Sequence, residues 1–204
     1  LCHRVDGKVV INDYRPLIMD LNSLPMPAYD LFPMNRYVGY DGIETYQEIF
    51  TARGCPFGCS FCIDWVTMDP RGNKDWQKHR YKSGKNVVDE MEFLNKEYGI
   101  DHFSIFDLNF NPVRKRVEEF VAALRERKLK VNFQFLGNAH SLKRELDLLP
   151  ELQQLGLGSV IYGLEVTDDS ELAKVGKGTT IAEIKQVTRA LREMHITSVM
   201  TWII

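Results

Sequence analysis

The sequence predicts an α/β fold built on a parallel β-sheet. Three observations support this prediction: β-prone apolar stretches alternate with stretches of helical periodicity, the strands recur roughly every 30 residues, and polar residues follow the ends of several strands. Strand–helix–strand units of this length favour right-handed crossovers between parallel strands. The resulting sheet is expected to be either barrel-like or doubly wound.

A different kind of sequence precedes the repeating units. An Asp-Gly turn signal between short β-prone stretches predicts a hairpin over residues 5–11. Three prolines then predict an extended connector over residues 24–33. We therefore divide the chain into an N-terminal hairpin and proline-rich connector, residues 1–40, and an α/β part, residues 41–204.

Strands and helices alternate through the α/β part. The predicted strands cover 45–52, 102–107, 131–136, 159–164 and the apolar run that begins after Thr197. The predicted helices cover 87–98, a segment that begins near Pro112, 141–155, and a segment that begins after Thr180. Gly99 and Gly156 are expected to end the first and third helices, because glycine readily adopts the left-handed conformation of a helix C-terminus. Asn111 is the expected N-cap of the second helix, and Thr180 with Glu183 predicts a capping box at the start of the fourth.

Three cysteines give the strongest chemical signal. Cys55, Cys59 and Cys62 follow the first predicted strand with the spacing C-x3-C-x2-C. This spacing also fits one face of a helix, but a proline and two glycines among the cysteines favour a loop that curls around a ligand. The remaining cysteine, Cys2, lies in the N-terminal hairpin, whereas a structural zinc site needs four ligands. The pattern favours an iron-sulfur cluster with one open iron; zinc with a distant fourth ligand and a loop without metal are the alternatives.

Composition fits a cytoplasmic enzyme. The chain has 204 residues, is 44% hydrophobic and carries a formal charge of −2, so it has no basic field that would predict nucleic-acid binding. No apolar run approaches the roughly 20 residues that span a bilayer, and no signal peptide opens the sequence. Crowded cysteines suit a metal in a reducing compartment better than disulfides. Because the chain begins at Leu1 and stops within an apolar run, we expect it to be a segment of a longer protein.

Polar side chains follow three of the later strands. Asp107 and Asn109 follow the second predicted strand, Asn138 and His140 the third, and Glu165 the fourth. Parallel α/β folds place their chemistry at the carboxyl ends of the strands. Taken singly, the asparagines and the histidine are more typical of turns or caps. A carboxylate at the end of an apolar strand must find a partner before it can be buried, so Asp107 and Glu165 are the better functional candidates.

The cysteine run resembles the cluster loop of the radical S-adenosylmethionine (radical SAM) enzymes, including the aromatic residue Phe61 before the last cysteine. Further similarity to that family covers nearly the whole chain and lies in 53–62, 106–110, 163–165 and 177–180. Residues 24–30 resemble the link found in the subgroup that carries an N-terminal cobalamin-binding domain. Two stretches depart from the family pattern: Val166-Thr167 replaces Ser-Gly, and Leu108 stands where a second acidic residue is common.

This resemblance implies a fold, a cofactor and a reaction. The fold is a partial parallel (β/α) barrel of the radical SAM type, an incomplete TIM-like barrel truncated at the C-terminus and preceded by a small hairpin and linker. The cysteines would hold a 4Fe-4S cluster whose fourth iron binds S-adenosylmethionine. Reductive cleavage would then give a 5′-deoxyadenosyl radical that abstracts hydrogen from a substrate. The implied cofactor-pocket residues are Phe61, Asp107, Gly163 and Glu165.

The resemblance also implies partners. They are a small-molecule or natural-product substrate and a one-electron reductant such as a flavodoxin or ferredoxin. The connector favours cobalamin-dependent methylation or ring formation, with the cobalamin bound by a domain outside these residues. A methylthiotransferase that modifies tRNA or protein, and an iron-sulfur electron-transfer module without S-adenosylmethionine, are the alternative functions.

Overall fold

A computed structural model of the chain describes residues 2–13, 15–37, 39, 43, 45–62 and 79–203. The predicted hairpin is confirmed: β1 (Cys2–Val5) and β2 (Lys8–Ile11) pair antiparallel. Asp6 and Gly7 connect them with φ of 48° and 78°, the positive values that a two-residue turn matched to the strand twist requires. The predicted division between residues 40 and 41 lies outside the described residues.

The segment after the hairpin, residues 15–37, is called the connector below. The extended chain predicted over 24–33 is interrupted, because Tyr29–Leu31 forms a short 3-10 helix. Two more 3-10 helices, at Leu21–Ser23 and Met34–Arg36, flank this stretch. Each of the three is closed by a backbone hydrogen bond between residues three apart, a tight turn that the fixed φ of the neighbouring prolines permits. Leu21 and Met34 are buried, so the connector packs against the α/β part.

One sheet organises the α/β part. The strands are β3 (Tyr46–Ile49), β4 (Ala52–Arg53), β5 (Arg80–Tyr81), β6 (His102–Ile105), β7 (Asn132–Gly137), β8 (Leu157–Glu165) and β9 (Thr197–Trp202). Strands β3, β6, β7, β8 and β9 form a parallel sheet in chain order, while β4 and β5 form a separate antiparallel pair. A doubly wound sheet would reverse its strand order at a switch point, whereas a barrel keeps it. The chain order therefore shows the barrel-like alternative, in the form of an incomplete barrel.

Six helices connect these strands in the described part of the chain. They are α1 (Gly84–Tyr98), α2 (Arg114–Arg127), α3 (Ala139–Lys143), α4 (Leu149–Gln154), α5 (Asp169–Lys174) and α6 (Ile181–Glu193). The capping box of Thr180 and Glu183 is confirmed at α6. The single helix predicted over 141–155 is wrong, since Pro150 has no N–H to donate and the chain forms α3 and α4 instead. None of the described helices has the length and apolar character that a bilayer crossing requires.

The N-terminus of α2 also differs from the prediction. The helix begins at Arg114 with Val113 in the N-cap position, so Asn111 is not the cap. Asn111 is completely buried and its Nδ2 donates to Glu145 Oε2 at 2.7 Å. Its Oδ1, the atom that an N-cap would use, accepts Asn138 N at 3.4 Å.

The hydrophobic core lies between the sheet and the helices. Phe110, Phe120, Phe133 and Phe135 form its aromatic centre, with successive ring centroids 5.2–5.3 Å apart. On the same strands, side chains of alternating position face the opposite side of the sheet and are more polar. There Gln134 donates to Ser104 and accepts from Ser159 across three neighbouring strands. The helices therefore cover one face, and the opposite face and the carboxyl edge are left for a site.

Candidate metal and cofactor site

The cysteine loop leaves the carboxyl end of β4 and lies at the carboxyl edge of the sheet. Gly54 opens it with a φ of 75°, a left-handed conformation that favours glycine. Near its end, Cys62 N donates to Cys59 O at 3.1 Å and closes a turn. The helix alternative for this spacing is thereby excluded, because Cys55, Cys59 and Cys62 all lie outside helices and are partly exposed.

The start of this loop is fixed by Asp107, which follows β6 and is 1% exposed. Its Oδ1 accepts the backbone N–H groups of Thr51 and Ala52 at 2.6 and 2.7 Å, and its Oδ2 accepts Thr51 Oγ1 at 2.6 Å. These bonds tie the end of one strand to the loop that follows another. The predicted contact of Asp107 with a cofactor stays a prediction, since its contacts within the chain are structural.

Arg116 completes this anchor. Its guanidinium pairs with Asp107 Oδ2 at 3.2 Å, with both side chains fully buried, and it also donates to Thr51 Oγ1. Further bonds reach the carbonyls of Phe110 and Lys82, both at 2.9 Å. Sequence reasoning missed Arg116. The signal was present, because position 116 lies in the apolar stripe of α2, three residues after Val113 and four before Phe120.

A second anchor holds the middle of the loop. Ser60 N donates to the carbonyl of Val175 at 2.9 Å, in the segment between α5 and α6. Gly176 has a φ of 66°, and a Cβ placed there would lie 3.1 Å from the carbonyl oxygen of Gly58. The positive φ and the close approach of these two backbones together favour glycine at position 176.

A buried ion pair lies beside the loop. Glu165 ends β8, is 7% exposed and has a φ of 66°, a conformation that non-glycine residues adopt rarely. Its Oε1 pairs with Lys177 Nζ at 2.7 Å, and Lys177 Nζ lies 5.7 Å from the centroid of the Phe61 ring. The structure thus brings together Phe61, Glu165 and Lys177. Lys177 lies in the stretch 177–180 that resembles the family, but it was not among the predicted site residues.

Gly163 makes room for this pair. A Cβ at position 163 would lie 1.8 Å from Glu165 Oε1 and 2.2 Å from Lys177 Nζ, so any other residue there would displace both side chains. Gly163 consequently leaves the space that the Glu165–Lys177 pair occupies. Three of the predicted cofactor-pocket residues, Phe61, Gly163 and Glu165, surround one lysine, while Asp107 belongs to the loop anchor.

The pKa shifts of the cysteines indicate which kind of ligand would stabilise the loop. Burial raises the pKa of Cys55 and of Cys59. The charge of Cys62 raises both further, that of Cys59 also raises the pKa of Cys55, and that of Glu165 also raises the pKa of Cys59. The charge of Lys177 acts in the opposite direction on each. Three thiolates close enough to repel one another are stabilised when they share a positive metal centre.

The donor set fits an iron-sulfur cluster. Among the residues that the structure describes, no group of three or more histidine, cysteine or carboxylate side chains is already arranged to hold a metal ion. The fit therefore rests on the number and softness of the thiols, on their single loop and on the anchors at its start and its middle. Cys55, Cys59 and Cys62 are the residues that would hold the cluster.

The remaining polar residues at the strand ends have structural partners. Asn138 caps α3, because its Oδ1 accepts His140 N at 2.8 Å, as a turn or cap residue was expected to do. Asn109 Oδ1 accepts Asn111 N at 3.3 Å. His140 Nδ1 lies 3.5 Å from Glu183 on α6, outside the cysteine loop. The contacts given for these residues thus support the edge of the sheet and do not involve Glu165 or Lys177.

Known proteins resemble this chain over most of its length. The family model of the radical SAM superfamily matches residues 49–204. The uncharacterized methyltransferase PH0819 of Pyrococcus horikoshii is 26% identical over 204 residues, which are 100% of this chain and 42% of that protein. The anaerobic magnesium-protoporphyrin IX monomethyl ester cyclase of Rubrivivax gelatinosus is 32% identical over 206 residues, covering 98% of this chain and 34% of the cyclase. The chain thus spans less than half the length of these relatives.

A solved structure shares the fold. The cobalamin-dependent S-adenosylmethionine radical enzyme OxsB, with aqua-cobalamin and S-adenosylmethionine bound, superposes with a TM-score of 0.71 at 21% identity, covering 99% of this chain and 29% of OxsB. This likeness confirms the predicted barrel type. Together with the cysteine loop and the family match over most of the described chain, it shows that the chain belongs to the radical SAM superfamily.

Proposed function

We propose that this chain is the cluster-binding and cofactor-binding part of a radical SAM enzyme. The observation that carries the proposal is the cysteine loop, anchored through Asp107 at its start and Val175 at its middle beside the buried Glu165–Lys177 pair. When bound, a 4Fe-4S cluster supplies the electron that cleaves S-adenosylmethionine to methionine and a 5′-deoxyadenosyl radical. The chain's own residues would bind and orient the cluster and S-adenosylmethionine.

The pocket beside the loop suits a zwitterionic, nucleoside-bearing cosubstrate. Lys177 offers an ammonium to a carboxylate, and Glu165 offers a carboxylate to hydroxyl or ammonium groups. Phe61 presents an aromatic ring, 42% exposed, on which an adenine can stack. A pair that is already formed and buried places both charges before the cosubstrate arrives, so little reorganisation is needed on binding.

We propose that the substrate binds at the face of the sheet opposite the helices. Phe50 and Phe106 follow β3 and β6, are 52% and 41% exposed, and make an edge contact with centroids 5.8 Å apart. Leu108 extends this apolar surface and is 43% exposed. Apolar walls exclude water and carry no readily exchanged hydrogen, which protects a reactive intermediate from side reactions. The substrate is proposed to be a small molecule or natural-product precursor that loses a hydrogen atom to the radical. A flavodoxin-like or ferredoxin-like donor would supply the electron that reduces the cluster.

The reaction subclass is proposed to be cobalamin-dependent methylation or ring formation. Support comes from the relatives, which include a methyltransferase, a cyclase and the cobalamin-dependent OxsB, and from the connector sequence. Cobalamin would be bound by another part of the full-length protein. Three free cysteines close together in one loop suit a reducing compartment, and we therefore propose a cytoplasmic location.

Iron content and cosubstrate cleavage test the proposal. Anaerobically reconstituted full-length protein is expected to bind about four irons at this site and to form 5′-deoxyadenosine with a strong reductant. Cys59→Ala should lose the cluster, whereas Cys2→Ala, in the exposed hairpin, should retain it. Equal iron content in the two variants would refute the metal assignment. A stable cluster without S-adenosylmethionine binding would favour an electron-transfer module instead.

A further inference from the structure

The connector contacts the segment that precedes α1. Asn22 Oδ1 accepts Ser83 N at 2.8 Å, and the carbonyl of Ile18 accepts Arg80 Nη1 at 3.1 Å. Residues 80–83, called the bridging segment, are thus hydrogen-bonded to the connector. The two residues of each bond lie 61 and 62 positions apart in the sequence, and neither bond belongs to the five-stranded sheet.

Glu90 on α1 joins the connector to the bridging segment through side chains. It is 2% exposed, its Oε1 accepts Tyr29 OH at 2.6 Å, and its Oε2 pairs with Lys82 Nζ at 2.6 Å. Burial and the charge of Glu90 raise the pKa of Tyr29, which keeps the hydroxyl protonated as a donor. Each carboxylate oxygen has a strong partner, so loss of either partner leaves a buried negative charge with less support.

The backbone of the bridging segment holds the start of the cysteine loop. Lys82 N donates to Thr51 O at 2.8 Å, and Lys82 O accepts Arg116 Nε at 2.9 Å. Tyr81 pairs with Ala52 in the β4–β5 ladder. Lys82 therefore contacts Glu90 through its side chain, and Thr51 and Arg116 through its backbone.

The geometry points to the connector as a positioning arm for the cysteine loop, acting from Tyr29 through Glu90 and Lys82 to Thr51. A continuous set of hydrogen bonds and ion pairs joins the connector to the residues that precede Cys55. The coupling rests on these contacts alone, while its consequence for a cluster rests on the proposed function. Tyr29 is a positioning residue in this scheme, because it lies in the connector and acts through other groups.

Tyr29→Phe is the sharpest perturbation of this path. It removes one hydroxyl and retains the ring, which packs 6.4 Å from Phe93. Glu90 then keeps only Lys82, and the bridging segment should open locally more often. The matched control is Tyr162→Phe, which removes the hydroxyl that lies 2.8 Å from Thr188 on α6, remote from this path in the network. Lys82→Gln breaks the same path from its other end.

Peptide-resolved hydrogen exchange of the full-length protein, prepared without iron, measures the coupling. Tyr29→Phe and Lys82→Gln should each speed exchange about tenfold in peptides that contain the backbone N–H groups of Ala52 and Lys82, and should leave α6 unchanged. Tyr162→Phe should show the reverse pattern. A uniform increase across all peptides, or no change near Ala52, would overturn the inference, since it would mean that Tyr29 supports only global stability or none.

A double-mutant cycle adds a second criterion. Thr51→Val removes the hydroxyl that Asp107 and Arg116 share. Combined with Tyr29→Phe, it should change exchange near Ala52 by less than the product of the two single effects, because both act on one path. Independent effects would contradict the coupling. Iron release from reconstituted protein to a chelator should be several times faster in Tyr29→Phe than in Tyr162→Phe. Failure of the wild-type protein to bind iron would refute the proposed function, but it would leave the hydrogen-exchange result intact.

Discussion

Replacing Asp107 by Asn tests the anchor at the start of the cysteine loop. Asn can keep its Oδ1 toward the N–H groups of Thr51 and Ala52, but its Nδ2 would face the Arg116 guanidinium and the Thr51 hydroxyl, which donate to Asp107 Oδ2. The variant thereby leaves a fully buried arginine without its counter-charge. Breaking a buried pair from one side costs about 3–5 kcal/mol. We expect a loss of that size in the free energy of unfolding.

Urea unfolding of the variants, followed by circular dichroism, measures this loss. The matched control is Asp147→Asn, since Asp147 pairs with Arg114 at 2.6 Å but its side chain is 64% exposed. That substitution should cost less than about 1 kcal/mol, as is usual for surface pairs. A double variant, Asp107→Asn with Arg116→Met, removes both charges and should be less destabilised than the sum of the single variants by about 2 kcal/mol. Additive effects, or equal losses in Asp107→Asn and Asp147→Asn, would show that the buried pair does not anchor the loop.

Three further outcomes are expected. Burial raises the pKa of Glu145 to about 7, so the folded chain binds this proton more tightly than the unfolded chain. The contribution of Glu145 to stability should be complete below the ordinary pKa of 4.5 and fall by about 3 kcal/mol as the pH rises to about 7. In thermal unfolding, Glu145→Gln should remove this part of the pH dependence, whereas Glu151→Gln should not. Gly163→Ala should lower S-adenosylmethionine affinity by tenfold or more in calorimetry with iron retained, while Gly158→Ala in the same strand, where a Cβ meets nothing within 4 Å, should not; equal affinities would remove Gly163 from the pocket. Lys177→Met should weaken S-adenosylmethionine binding by about tenfold or more relative to the exposed Lys174→Met, and unchanged binding would assign the Glu165–Lys177 pair to structure alone.

Local signals predicted much of the fold. The Asp-Gly turn, the capping box at Thr180 and the alternation of strands and helices all act over a few residues, so they can be recognised without knowing the rest of the structure. The choice between a barrel and a doubly wound sheet required the strand order, which depends on long-range pairing. The break between α3 and α4 was predictable from Pro150, which a purely periodic interpretation overlooks.

The candidate site was predicted less completely. The cysteine loop was identifiable because its ligand types and spacing are local. Arg116 and Lys177 were missed since their importance comes from partners that only the folded chain brings near, namely Asp107 and Glu165. Asn111 was assigned to a helix cap for the same reason, because its partner Glu145 lies on another segment. A charged residue within an apolar stripe is the signal that would have found Arg116.

The bond between Ser60 and Val175 has a consequence for biosynthesis. The sheet grows in chain order, so early strands can pair on the ribosome as they emerge. The cysteine loop is made early, but its support from the segment after β8 is made late. Metal delivered before that point would meet a loop that is held at its start but not at its middle. Assembly of the centre is therefore expected to follow synthesis of the residues around Val175.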